Sequence, residues 1–217
     1  MPDFAARRET MVDTQVRPSD VTRYPLIAAM LAVARENHVP PDLREAAYAG
    51  EDLPIAPGRV LLSPRSFAKM LDALDPGPSE VVLDVGAGLG YGAAVIARLA
   101  EMVVALEEDG ALAAEAERAL SAARVDTVAV ITGALAAGAP RHGPYDAIVI
   151  EGAVETVPEA LTSQLKEGGR IAAIFSDGPV GVCRIGIRHG AGVTWRPVFN
   201  ATAPVLPGFA RVRSFAL

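Results

Sequence analysis

Two features of this 217-residue chain are suited to hold a small molecule between them. In Leu83-Asp84-Val85-Gly86-Ala87-Gly88-Leu89-Gly90, three alternate glycines follow an apolar run and lead into a helix-forming one. Such a loop lets the backbone approach a nucleotide-like ligand closely, because a Cβ there would collide with it. Glu107 ends the next apolar run, where a carboxylate can accept hydrogen bonds from both hydroxyls of a ribose. A second acid, Asp84, stands two residues before the first glycine. The spacing is G-x-G-x-G, not the G-x-G-x-x-G of a dinucleotide site, and no Gly-Lys-Ser/Thr follows, which excludes a P-loop. Glycines serving only tight packing would leave the two acids without a reason.

The elements that must position these residues follow from periodicity. Val81–Val85, Met102–Leu106, Asp126–Ile131, Tyr145–Ile150 and Gly169–Phe175 read as buried strands. Tyr91–Ala100, Gly110–Ala123 and Pro158–Leu165 read as the helices between them. That βαβαβ order predicts an α/β fold: a doubly wound, mostly parallel, seven-stranded sheet, Rossmann-like, with helices on both faces. Gly181–Arg188 and Thr194–Ala201, around Gly190-Ala191-Gly192, predict an antiparallel hairpin at the C-terminal edge. Upstream, Tyr24–Asn37 and Ser66–Leu74 read as helices and Val39-Pro40-Pro41-Asp42 as the start of a short one, while Pro54, Pro57 and Gly58 break the chain. We expect a single domain over 1–217, with a helical N-terminal segment at 1–75 acting as a substrate-side lid on a core at 80–217.

Composition narrows the function. The net charge of −6 conceals −10 over residues 66–169, which hold both acids, and +5 over 170–217. An acidic core argues against nucleic acid and anionic membrane as partners. The basic C-terminal edge (Arg184, Arg188, Arg196, Arg211, Arg213) reads as solvated, with docking of an acidic peptide or subunit as the other possibility. One cysteine, Cys183, excludes an internal disulfide framework, and three separated histidines (His38, His142, His189) give no metal site. The most apolar run, Gly92–Leu106, is interrupted by Arg98 and Glu101, and the first residues lack an apolar signal core. A cytoplasmic protein, monomer or small homo-oligomer, is the expectation. His38 reads as a packed histidine, Cys183 as a small strand residue and Trp195 as a core or edge-strand aromatic.

The acid–glycine–acid pattern resembles the S-adenosylmethionine-binding core of class I methyltransferases. Other segments narrow the resemblance to the protein-L-isoaspartate O-methyltransferase family. Met11-Val12-Asp13-Thr14-Gln15-Val16 is similar to that family's M-V-x-x-Q-I, and Asn37-His38-Val39-Pro40 to its F-V-P. Ala47 through Ile55 is similar to its A-Y-x-D-x-x-L-P-I, and Val82 through Tyr91 to its V-L-E-I-G-T-G-S-G-Y. Tyr145–Val149, with Leu161 through Arg170, resembles its F-D-A-I-I and L-x-x-Q-L-K-P-G-G-R. The resemblance implies S-adenosyl-L-methionine as cofactor, held by Asp84, Gly86, Gly88, Gly90, Glu107 and Gly133, with Asp84 near the loop, the loop beside the methionine moiety, and Glu107 on the ribose. It implies carboxyl methylation of a damaged protein or peptide, and protein repair as the role.

The departures from the family lie where the acceptor is handled. Aligned without a gap from Leu53, Val60-Leu61-Leu62-Ser63-Pro64 falls on the family's T-I-S-x-P. Leu62 then stands at the position of the family's catalytic-site Ser, with Ser63 beside it and Pro64 on its Pro. The family's adenine-contacting Asp is Ala134 here, after Gly133. Glu151, after the fourth core strand, falls where open parallel sheets bind ligand and is a candidate on the substrate side, either reading a cationic or hydroxyl-bearing group or acting as base for a neutral nucleophile; a solvated acid at a strand end is the plainer reading. Three functions stay open: isoaspartyl methylation, methylation of another acceptor, and a catalytically weak cofactor- or partner-binding protein.

Overall fold

The computed structural model describes residues 3–211. The N-terminal part is helical: α1 (Phe4–Met11) runs into a π-helical turn at Val12–Val16, and α2 (Tyr24–Ala32) follows. The expected Tyr24–Asn37 helix stops at Ala32 because Val33 and Ala34 leave helical backbone and turn Arg35 inward. Arg35–Asn37 and Pro41–Ala46 are 3-10 turns. Leu53–Ala56 (β1) and Arg59–Leu61 (β2) then pair as a small antiparallel hairpin, with Leu53 opposite Leu61. The sequence reading took this stretch as broken chain, because Pro57-Gly58 forms the turn itself. Helix α3 (Pro64–Leu74) begins with proline at its first turn, where no amide donor is needed, and turns Phe67, Met70, Leu71 and Leu74 into the core.

Among the described residues the main sheet has seven strands, ordered β5-β4-β3-β6-β7-β8-β9. These are β3 (Val81–Val85), β4 (Met102–Glu107), β5 (Val128–Thr132), β6 (Tyr145–Val154), β7 (Leu165–Phe175), β8 (Val182–His189) and β9 (Gly192–Asn200). The first five pair in parallel, and β8 and β9 add antiparallel at the edge as expected. Alternation divides the strands between two cores. Val82, Val103, Ala105 and Val149 pack with α3, α4 (Tyr91–Ile96) and the N-terminal helices, while Leu83, Val85, Leu106 and Ile150 face α6 (Glu159–Thr162) and the C-terminal Leu206 and Phe209. Helix α5 (Gly110–Ala122) matches its expected bounds within one residue. Two further helices, α4 and α6, are shorter than expected. After Ile96 the chain tightens into turns, Arg98 N–H to Val95 C=O and Leu99 N–H to Ile96 C=O. Gln164 leaves α6 because its carbonyl accepts the Tyr145 N–H at 2.8 Å.

Strand order reverses beside β3: β4 and β5 lie on one side, β6 and β7 on the other. The carboxyl ends of β3 and β6 flank this crevice, which is where ligands enter such sheets. Among the described residues, no helix is long and apolar enough to cross a membrane.

Candidate active site

The glycine loop leaves β3 with Gly86, Gly88 and Gly90 at φ +80°, +55° and +81°, conformations that side-chain-bearing residues rarely adopt. Its closure depends on Glu107. The Gly88 amide donates to Glu107 Oε2 at 2.8 Å, and the Glu108 and Asp109 amides donate to Oε1 at 2.8 and 3.1 Å. Asp109 then caps α5 by accepting from Ala111 N–H at 2.8 Å. On the outer side of the loop, the Leu89 carbonyl accepts from His38 Nδ1 at 2.8 Å. His38 is buried against Tyr91, and burial holds its pKa below the usual value, so the ring is a neutral brace for the loop.

Behind the loop lies a group of buried charges. Asp84 is fully enclosed and neither of its carboxylate oxygens has a donor among the described residues; Glu151 Oε1 is likewise unpartnered. Burial, then the Glu107 charge, pushes the Asp84 carboxyl up to about 7, and burial together with Asp84 raises Glu151 well above the carboxylate range. Two acids buried this close cannot both ionise easily, and protonation of one would let it donate to the other. Arg35 is also fully buried: Nε donates to the Ala47 carbonyl and Nη2 to the Leu62 carbonyl, both at 2.7 Å, and its guanidinium lies 4.8 Å from the Tyr91 ring centroid. Arg35 thereby fastens the N-terminal segment to the start of α4. Arg35 faces Glu151, and Arg59 faces Glu107, Asp84 and Glu151.

Arg59, on β2, is the residue that sequence reasoning missed. Its Nη1 and Nη2 donate to the two Glu107 oxygens at 2.6 and 2.7 Å in a buried, two-point ion pair. A Cβ built on Gly86 would lie 3.2 Å from Arg59 Nη2 and 3.1 Å from Leu206 Cδ1, and one on Gly88 would lie 2.6 Å from Ile55 Cδ1. Three side chains from the hairpin and the C-terminal segment therefore lie over the glycines. Leu206 is held there by paired bonds between its segment and Ala153, and it also covers Gly152. The available signal was a lone arginine among Leu53, Ile55, Val60, Leu61 and Leu62.

The remaining expected positions are spread around this centre. Gly90 faces α5, where a Cβ would lie 3.2 Å from that of Ala116, and the Gly133 amide donates to the Glu107 carbonyl at 3.0 Å. Leu62 is fully buried in the core. Ser63 precedes α3, with its amide on Asp52 Oδ1 at 2.6 Å and its hydroxyl on Ser66 Oγ at 3.0 Å, and Pro64 opens the helix. At the basic edge, Arg184 forms a two-point pair with Asp177 and Arg188 donates to the Ser163 carbonyl; Arg213 lies outside the described residues. A cleft of about 480 Å³ lies beside the loop, walled by Asn37, Pro40, Arg44, Ile55, Leu89 and Leu112 among others.

A family model described as Protein-L-isoaspartate(D-aspartate) O-methyltransferase (PCMT) matches residues 6–181. A protein-L-isoaspartate O-methyltransferase of Methylorubrum extorquens (strain PA1) is 42% identical over 181 residues, 83% of this chain and 78% of the relative. The chain belongs to this family. A relative of the same name from Methanoregula boonei is 40% identical over 164 residues, 76% of each chain. Among solved structures, a protein-L-isoaspartate O-methyltransferase superposes with TM-score 0.81 at 22% identity, covering 93% of this chain and 66% of that one. A Plasmodium falciparum beta-aspartate methyltransferase in complex with S-adenosyl-L-homocysteine gives 0.78 at 18%, covering 95% and 99%. These last two likenesses bear on the fold.

Protein-L-isoaspartate(D-aspartate) O-methyltransferases use S-adenosyl-L-methionine, and the residues present here fit that group. The glycines keep the loop backbone bare of side chains under Ile55, Arg59 and Leu206, Glu107 offers a buried carboxylate beside the Gly88 amide, and Asp84 has unpartnered oxygens behind them. In this structure both Glu107 oxygens are engaged by Arg59.

Proposed function

We propose that this chain is an S-adenosyl-L-methionine-dependent carboxyl O-methyltransferase acting on isoaspartyl residues of damaged protein or peptide. The observation that carries the reading is the Gly88 amide on the Glu107 carboxylate, at the carboxyl ends of β3 and β4 beside the crevice where strand order reverses. Asp84, Gly86, Gly88, Gly90, Glu107 and Gly133 would hold the cofactor, which when bound supplies a methyl group on a positively charged sulfur. An acceptor carboxylate is already ionised at neutral pH, so the chain need not remove a proton from it. What it contributes is alignment and exclusion of water, and Ile55 and Leu206 make an apolar roof suited to that. Pro64, Ser63 and Glu151 belong to the acceptor side in this reading. Residues 1–75 serve as the lid, on a single domain whose core spans 80–217; the cleft between Pro40, Arg44 and Leu89 supports that division. We assign the protein to the cytoplasm as a monomer or small homo-oligomer without a nucleic-acid partner, in keeping with its acidic core.

A second reading, methylation of another acceptor, is favoured by one observation. At the family's Ser position stands a fully buried leucine, Leu62, and the neighbouring Ser63 hydroxyl is engaged with Ser66. The discriminating experiment is transfer of radiolabelled methyl to an isoaspartyl peptide and to its normal aspartyl isomer. Label on the isoaspartyl peptide alone is the expected result. Calorimetric binding of S-adenosylhomocysteine without transfer to either peptide would favour the second reading, and absence of binding would overturn both.

A further inference from the structure

We propose that Arg59 reads the carboxylate of the cofactor's amino-acid part, exchanging Glu107 for that carboxylate when the cofactor binds. The inference rests on the cofactor reading above and assigns a residue that no part of the family pattern supplies.

Glu107 has no capacity to spare. It accepts two hydrogen bonds from Arg59 and three from the Gly88, Glu108 and Asp109 amides. Five donors already saturate the about four lone-pair sites of a carboxylate, so two ribose hydroxyls can enter only in exchange for the two guanidinium bonds, donor for donor. Withdrawal leaves a cation that cannot be neutralised by losing a proton, in a place where it is 7% exposed. An uncompensated buried charge is strongly unfavourable, so Arg59 needs another anion.

The geometry limits where that anion can be. Arg59 Nη2 lies over Gly86, the glycine nearest β3, 3.2 Å from where a Cβ would stand. A guanidinium released from Glu107 at this buried position would find its next anion along the loop. S-adenosylmethionine brings both groups that the exchange requires: two hydroxyls for Glu107, and one carboxylate whose two oxygens match the planar fork of an arginine. One other partner is within electrostatic reach. Asp84 and Glu151 both feel the Arg59 charge, and the pair could take the guanidinium by releasing its shared proton. In that case Arg59 would be a simple latch, indifferent to the ligand's carboxylate.

Calorimetric titration of the whole chain with S-adenosylhomocysteine and with its decarboxylated analogue separates these cases without any measurement of activity. The wild type is expected to bind S-adenosylhomocysteine about tenfold more tightly or better, the effect of one charge-assisted contact. In Arg59→Gln, Glu107 is free from the outset. The decarboxylated analogue should bind more tightly than to wild type, S-adenosylhomocysteine should not, and the preference should fall close to one. Arg59→Lys, which keeps the charge and loses the fork, should show an intermediate preference and provides the test if Arg59→Gln does not fold by circular dichroism. Equal tightening of both ligands on Arg59→Gln, or equal binding of both by wild type, would overturn the exchange while leaving the cofactor reading intact. Absence of binding in every protein would overturn both.

Discussion

The Glu151 carboxylate lies directly against the backbone of Gly92: a Cβ on Gly92 would fall 1.5 Å from Glu151 Oε1 and 2.6 Å from its Cδ. The second residue of α4 is thus small because an acid from β6 crosses it to reach Asp84. Gly92→Ala should force that acid aside and lower stability by about 1–3 kcal/mol, read from urea unfolding. Adding Glu151→Ala removes the colliding group, so the double variant should recover most of the loss. Strict additivity of the two changes would mean that the collision is not the cause.

The Asp84–Glu151 pair predicts a specific pH dependence. Both carboxyls have higher pKa values folded than unfolded, Asp84 reaching about 7. Between roughly pH 4 and pH 7 the folded pair therefore keeps a proton that the unfolded chain has released. Stability should fall as pH rises through that window, by at most about 1.4 kcal/mol per unit for each retained proton. Glu151→Gln, with one acid and an amide donor in place of two acids, should flatten the decline. Urea midpoints from about pH 5 to about pH 8 provide the measurement, and parallel profiles for the two proteins would exclude the pair as its origin.

Leu62→Ser restores the family's hydroxyl in name only. The side chain is fully buried in the core shared by α3 and the N-terminal helices. Removing it should cost about 3 kcal/mol, and the new hydroxyl adds a polar group that needs a partner. Thermal unfolding should show the loss, with methyl transfer to an isoaspartyl peptide no higher per folded molecule. A gain in transfer would place this position at the acceptor after all.

Cys183, enclosed on β8, should be chemically silent. Burial pushes its thiol up to about 12, so the nucleophilic thiolate is scarce and shielded at neutral pH. A colourimetric thiol reagent should leave the native protein unlabelled and react with one thiol per chain in denaturant. Rapid labelling under native conditions would mean that the β7–β8–β9 edge opens.

Much of the scaffold was legible because its signals are local. Val81–Val85 and Gly110–Ala122 sit within a residue of where apolar periodicity and the glycine–acid punctuation place them. The β1–β2 hairpin was not legible, since Pro54, Pro57 and Gly58 carry the same breaker signal whether they interrupt a chain or turn a hairpin. Tyr24–Ala32 stops short of Asn37 for a tertiary reason, the burial of Arg35 against the Ala47 and Leu62 carbonyls.

The sequence by itself determined that a strand enters a glycine loop, that Asp84 and Glu107 flank it, and that the sheet is doubly wound. Each of these is written in residue spacing over one or two elements. Only the tertiary structure decided what those acids meet. Arg59 reaches Glu107 from 48 positions away, and Glu151 reaches Gly92 from the next strand in the sheet. Periodicity specifies which face of an element is buried, but strand order and the hairpin's fold choose the partner, and for a buried charge the partner decides its energy.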